Sequence, residues 1–376
     1  MKIHNLHRFL LLLVVMTLVC MQLTAQERSA TCWPGFRGDE QLTGFAAATL
    51  KPPLRLLWTF KTGDAIKSSA VVCNGTIFIG SNDGFLYALS STGNLLWKFD
   101  AKNSIEAAPL LAGMAVILGT LEGTLIALDI TTGKELWRYV TEGQISGSPN
   151  KLVRKSDGGF DILAGSYDYN LHCIDGLTGK LRWKYETANY INGTPAMFGK
   201  IAIFGGCDGH LYLVNTANGQ LIEKIDIGTY MASSPAIGGN KAWFGNYDGE
   251  FFCFDLRKKK MVWKKDGGGT FLSSPAISAN RVIIGSQNNT VYCFNAATGD
   301  ILWKFKTLGK VDASPVIAGK QVVIAASDGR IRILDLATGN PVWSYEIGSP
   351  LSGTPAVTNA GIVVGAEDGN VYMFGR

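Results

Sequence analysis

Ser273-Ser274-Pro275-Ala276-Ile277 opens a stretch that runs on through Val282-Ile283-Ile284-Gly285-Ser286 and the turn Asn288-Asn289. It ends in Asn295-Ala296-Ala297-Thr298-Gly299-Asp300-Ile301-Leu302-Trp303-Lys304-Phe305. The stretch breaks into four short runs rich in β-branched and aromatic residues, separated by Gly- and Asn-bearing turns. Alternating runs bounded by such turns predict antiparallel strands joined as hairpins. No helix-period segment of useful length interrupts them.

The same unit recurs along the chain. Asp83-Gly84, Asp208-Gly209, Asp248-Gly249, Asp328-Gly329 and Asp368-Gly369 mark one turn, and Glu122-Gly123, Asp168-Tyr169 and Asn288-Asn289 fill its gaps. Successive turns lie 39, 46 and then five times 40 residues apart. Pro109, Pro195, Pro235, Pro275, Pro315 and Pro355 fall 13 residues before the turn; Pro149 is displaced by a six-residue insertion at 154–159, and Ala70 holds the first place. Trp58, Trp97, Trp137, Trp183, Trp263, Trp303 and Trp343 complete the lattice, with Glu223 in the vacant slot. Four-stranded units of about 40 residues are a propeller signature. The last unit stops at Phe374 without a Trp strand, and a spare Trp strand stands at Leu54–Phe60. The reading is therefore an all-β, eight-bladed β-propeller of four-stranded blades over 54–376, closed by an N-terminal strand that completes the last blade.

Composition agrees with this. Of 376 residues 47% are hydrophobic, 17% are charged and 45 are Gly, which excludes a disordered chain or a disulfide-dense mini-scaffold. Residues 1–25 have the layout of a secretory signal peptide, with Lys2 and Arg8 ahead of an apolar run from Phe9 to Cys20 and a cut expected after Ala25. Lipid attachment at Cys20 is the competing reading, disfavoured by Val19 before it. Residues 26–53 form a leader. Without Lys2 and Arg8 the chain keeps 33 basic and 30 acidic residues, a balance that argues against nucleic-acid binding. The expectation is a monomeric periplasmic or secreted protein.

Asp129-Ile130-Thr131-Thr132-Gly133-Lys134-Glu135-Leu136-Trp137 and Asn295–Trp303 resemble the tryptophan-docking repeat of pyrroloquinoline-quinone (PQQ) propellers. Cys32-Trp33-Pro34-Gly35-Phe36-Arg37-Gly38 is similar to the leader of exported members. The resemblance implies the fold, but two kinds of function share it: quinone-dependent alcohol dehydrogenases, and the non-catalytic scaffold lipoprotein of the outer-membrane barrel assembly machinery. The enzymes resemble one another in longer chains whose insertions carry a Ca²⁺ site and a catalytic Asp. Here there is one short insertion, no Cys-Cys pair and no C-x-x-C-H, so neither PQQ with calcium nor any other cofactor or metal is expected, and no catalytic residue is assigned.

Other chemistry is equally thin. His172 and His210 read as surface or strand-edge residues, too few for a zinc site. Gly205-Gly206-Cys207-Asp208-Gly209 falls on the repeated turn and not on a strand-to-helix elbow. Cys173, Cys253 and Cys293 share a strand position with Ala88 and Ala127 and read as buried thiols, which leaves Cys32 with Cys73 as an open pairing. The turn Asp residues read as acceptors of backbone N–H groups, and the Trp set as inter-blade packing.

Three places stand out. The position three residues before each lattice Pro (Lys67, Glu106, Ser146, Asn192, Ala232, Leu272, Asp312 and Ser352) should ring one mouth of the central channel. There Lys67, Glu106 and Asp312 would pair or hold a polar ligand, with Tyr190 and Tyr230 adding aromatic surface. Arg257-Lys258-Lys259-Lys260, continued by Lys264 and Lys265, lies on an outer hairpin and suits an acidic partner or lipid head groups. The insertion at 154–159 is a third contact candidate. The preferred reading is an exported, non-catalytic scaffold with a cell-envelope protein partner, ahead of a small-ligand or polysaccharide binder and a PQQ-dependent dehydrogenase.

Overall fold

A computed structural model describes residues 29–154 and 158–376; the expected signal peptide, Cys20 and positions 155–157 of the insertion lie outside the described residues. All regular structure among the described residues is β. Eight sheets, each built on four antiparallel strands, make the eight blades, and in seven of them those four follow chain order from the axis outward. Their innermost strands are Val71–Cys73, Leu110–Ala112, Asn150–Val153, Ala196–Phe198, Ala236–Gly238, Ala276–Ile277, Val316–Ala318 and Ala356–Thr358. In blade VIII the outermost strand is Arg55–Lys61, paired antiparallel with the C-terminal strand Asn370–Gly375. Chain closure thus leaves no missing strand.

Local chemistry sets each blade. At the turns Gly84, Gly123, Gly209, Gly249, Gly329 and Gly369 have φ between 71° and 86°, the left-handed region that L side chains avoid. Tyr169 and Asn289 take the same conformation at 71° and 61°. The turn Asp side chain accepts the N–H two residues on, as from Phe85 to Asp83 at 2.9 Å and from Arg330 to Asp328 at 3.1 Å. Side chains of the middle strands interleave with the facing blade as buried Ile, Val, Leu and Phe.

The seams between blades repeat one device. The indole N–H groups of Trp58, Trp97, Trp137, Trp183, Trp263, Trp303 and Trp343 donate to the carbonyls of Ser91, Ile130, Gly176, Thr216, Ala296, Leu336 and Leu54 on the next blade, at 2.9–3.3 Å. Under six of these rings lies a turn glycine; a Cβ on Gly133 would sit 2.6 Å from Trp97, and one on Gly299 would sit 2.7 Å from Trp263. The seam between blades IV and V differs. Glu223 stands in the Trp slot, Lys259 (φ 51°) stands in the glycine slot, and their side chains pair at 3.1 Å.

The leader runs inside the ring. Cys32 and Trp33 pair with Cys73 and Val72 on the inner edge of blade I, and Cys32 is disulfide-bonded to Cys73. Leader carbonyls then accept inner-strand N–H groups in turn: Pro34 from Leu111, Glu40 from Met197, Gln41 from Ile237, Thr43 from Ile277 and Gly44 from Ile317, at 2.7–2.9 Å. Asn150 Nδ2 of blade III donates to Glu40 O at 2.9 Å, and Asn359 N of blade VIII to Ala30 O at 2.8 Å. Phe45–Ala46 adds as a parallel strand to blade VII. Every blade is therefore tied to this segment. Arg37 is fully buried at the centre and donates to the carbonyls of Pro315 and Pro275 at 2.7 and 2.8 Å. Burial brings its guanidinium down to about 9. Gly44 (φ +62°) makes room for it, since a Cβ there would meet Arg37 Nη2 at 1.9 Å.

Candidate binding surfaces

The two faces of the ring differ. Loops into the innermost strands and the Asp-Gly turns share one face, as Gly63 N bonding to Asp83 Oδ2 at 2.7 Å shows. Here the predicted ring comes together: Lys67, Glu106, Ser146, Asn192, Ala232, Leu272, Asp312 and Ser352 line one cavity of about 190 Å³. It is a cup and not the mouth of an open channel, because Phe36 of the leader contributes to its lining and the leader fills the axis below. That corrects the expected channel.

Below the rim lies a belt that the sequence reading missed. Backbone N–H groups of Ala108, Thr194, Ser234, Ser274, Ser314 and Thr354 donate to the hydroxyls of Ser148, Ser234, Ser274, Ser314, Thr354 and Ser69 on the following blade, at 2.8–3.2 Å. The signal was present: the residue before each lattice Pro is Ser or Thr in every unit except Ala108.

At the rim Lys67 and Glu106 pair at 3.0 Å, which holds the ammonium above its ordinary range. Asp312 does not join them. Burial raises its carboxyl against Gln287 and Lys310, and its Oδ1 is buried without a hydrogen bond. Asn192 is engaged by Ser146 and by Cys207 Sγ, at 3.4 and 3.1 Å. Tyr190 and Tyr230 lie outside the cup. Tyr190 stacks on Tyr167 (centroids 4.6 Å apart) and Tyr230 on Tyr247 (4.2 Å), forming an aromatic flank over blades III–V.

His172 is 2% exposed, not at the surface. Its Nε2 meets Asp168 at 3.0 Å and its Nδ1 the Tyr139 hydroxyl at 3.0 Å, and burial lowers its basicity. It fills the slot from which Tyr87, Tyr212, Tyr372 and Arg332 bond their own turn Asp. Cys173, Cys253 and Cys293 are buried, and burial pushes the last two thiols up to about 12. None of these is arranged for nucleophilic work.

The basic run is partly neutralised. Arg257 and Lys258 cap Asp255 Oδ1 through backbone N–H, Lys259 pairs with Glu223, Lys264 with Glu250, and Lys265 with Asp300 at 3.5 Å. On this hairpin face a groove of about 1120 Å³ runs between the leader and the inner strands of blades I–IV. Arg154 of the insertion is braced beside it by Asp161 and Asp175, the latter at 3.0 Å.

These residues do not fit PQQ with calcium. A hard cation wants six to eight oxygens, and among the described residues no group of three His, Cys, Asp or Glu converges. The cup offers one ammonium, already paired, and its only aromatic wall is Phe36.

The family model described as outer membrane protein assembly factor BamB matches residues 54–265 and 260–375. The chain belongs to that family. A search of curated proteins found no match. Among solved structures, BamB from Moraxella catarrhalis superposes with a TM-score of 0.74 at 18% identity, covering 86% of this chain and all of that one. A europium-containing methanol dehydrogenase gives 0.78 at 13%, covering 90% and 91%. The quinohemoprotein alcohol dehydrogenase ADHIIG from Pseudomonas putida HK5 gives 0.78 at 12%, covering 92% and 80%. At such identities these likenesses establish the fold alone.

Proposed function

We propose, with membership of the BamB family as the premise, that this chain is an exported, non-catalytic propeller that holds other proteins in the cell envelope. The process it serves is outer-membrane protein assembly. One observation carries the reading: the ring's axis, where a propeller enzyme would gather its reacting groups, is crossed and tied by the chain's own leader. What remains is rigid surface on two broad faces. The Cys32–Cys73 disulfide suits an oxidising compartment, in line with the signal read at 1–25.

The test is affinity purification of the full-length protein, expressed in its own cells, from cross-linked envelopes. Barrel-assembly components should co-purify, and deletion should lower the amount of folded outer-membrane protein. Absence of both would overturn the reading. A calorimetric titration with PQQ, with and without Ca²⁺, should show no binding; tight binding with dye reduction over alcohols would restore the dehydrogenase.

A second reading rests on Asp312. A buried carboxylate oxygen without a partner, in a cup ringed by hydroxyls, suits a small polar ligand that donates a hydrogen bond. If a ligand is found, Asp312→Ala should weaken its binding at least tenfold with little change in melting temperature. Unchanged affinity would dismiss the cup.

A further inference from the structure

We propose that the groove on the hairpin face takes an extended peptide segment of a partner protein, which adds as a strand to the free inner edge of blade III. The natural partner rests on the scaffold reading; the site itself rests on the backbone.

The inner strand of blade III, Asn150–Val153, has four residues where the other seven have two or three. The insertion makes the difference, because Arg154 N bonds to Gly159 O at 2.8 Å and carries the hairpin past the end of its neighbours. Antiparallel pairing alternates between bonded and unbonded positions. Arg154 is bonded across the hairpin, so Lys151 and Val153 turn their backbone groups to the channel. Asn150 Oδ1 takes the Lys151 N–H at 2.8 Å. The Lys151 carbonyl and both polar groups of Val153 have no partner among the described residues.

The leader adds as a strand to blades I and VII and accepts a single inner-strand N–H on blades II, IV, V and VI, but at blade III it turns across between Pro34 and Glu40 and leaves the longest of these edges beside the groove. An unpaired edge is a template for another chain, and strand addition is a general way of holding an extended peptide. The molecule uses that mode twice on the same inner ring, with Cys32–Trp33 on blade I and Phe45–Ala46 on blade VII. The neighbouring walls are mixed and open: Val153 is 56% exposed, Met114 is 68% exposed, and Leu110, Phe36 and Met197 line the same groove, while its charged groups are already engaged, Lys151 meeting Glu40 at 3.9 Å and Asp39 accepting the Thr43 N–H at 3.0 Å. The occupant is therefore an uncharged extended segment that pairs over two or three residues and buries small or apolar side chains against Met114 and Met197. The ion pairs of Arg154 keep the edge in place before it arrives.

The experiment is fluorescence anisotropy of the full chain with an acetylated, amidated peptide copying Thr43–Leu50, a segment that already pairs with an inner strand. Saturable binding is expected. Val153→Pro removes the groove-facing N–H without touching the ladder inside blade III, and should weaken binding at least tenfold, whereas Val153→Ala should not. The same peptide N-methylated at alternate residues should fail to bind. Met114→Glu, at an exposed position, should also weaken binding and decides the matter if Val153→Pro does not fold. No saturable binding, equal binding by both variants, or equal binding of the N-methylated peptide overturns the inference. If wild-type protein co-purifies with assembly components and Val153→Pro does so equally, the groove fails and the scaffold reading stands. If wild type does not co-purify, the scaffold reading fails and the titration still judges the groove.

Discussion

Seam VI–VII and seam IV–V solve one packing problem with different chemistry. At the first, Trp303 lays its ring over Gly339 and donates to Leu336 O at 3.1 Å. At the second, Glu223 meets Lys259 through a single contact at 3.1 Å, with the two side chains 35% and 46% exposed. The indole buries a large apolar area and satisfies its one polar group, while an exposed ion pair adds little and yields to salt. The exchange is coupled: no ring covers position 259, so a side chain can stand where glycine is required elsewhere. The propeller tolerates one such seam because the hydroxyl belt and the leader also tie blade IV to blade V.

The contrast can be broken from the strong side first. Trp303→Ala should cost about 3–5 kcal/mol, as expected for a large buried aromatic, and Glu223→Ala less than about 1 kcal/mol; urea unfolding of the two variants measures the gap. Next, Gly299→Ala puts a Cβ 2.7 Å from the Trp263 ring at φ +73°. The left-handed conformation alone costs roughly 1–2 kcal/mol, and displacing the ring adds to it. Lys259→Gly at the soft seam should stay within about 1 kcal/mol of wild type. Equal losses at both would mean that the seams do not differ.

A smaller effect would convert one seam into the other. Glu223→Trp with Lys259→Gly should recreate the docked ring, the indole donating to Leu256 O. The double variant should exceed the sum of its singles by about 1 kcal/mol in a double-mutant cycle. Smallest is the salt effect. At 1 M NaCl, where screening acts within about 3 Å, the coupling between Glu223 and Lys259 should fall toward zero while the cost of Trp303→Ala holds. A salt-independent coupling would show that the pair works through packing.

Much of this architecture was legible because it repeats. The turns, prolines and tryptophans announce the blades, and the unpaired strand at Leu54–Phe60 announces the closure. Periodicity also placed Lys67, Glu106 and Asp312 on one rim, where their charges predict a pair, though not that Asp312 stands apart from it, which depends on how deeply each sits. The leader was opaque for a physical reason: it binds the ring mostly through carbonyl oxygens, which every residue carries, so Pro34, Glu40, Gln41, Thr43 and Gly44 leave no mark in composition. The groove was hidden with it. His172 looks peripheral in the sequence because its residue type differs from that of Tyr87 and Tyr212, whose slot four residues after the turn Asp it fills. Glu223 was visible as a gap, but its meaning needed Lys259, 36 residues on, to be read as the matching loss of glycine.

The shared eighth blade also imposes an order in time. Arg55–Lys61 is made early and pairs only with Asn370–Gly375, so one strand waits for nearly the whole chain. Contacts this distant in sequence are slow to form, because loop closure precedes any reward. Until that pairing forms, the ring is not closed, and an unclosed sheet edge is where such a chain is most prone to aggregate. The leader answers that liability in the finished ring, since it bonds to the inner edge of every blade and so holds both tips of the ring to one segment.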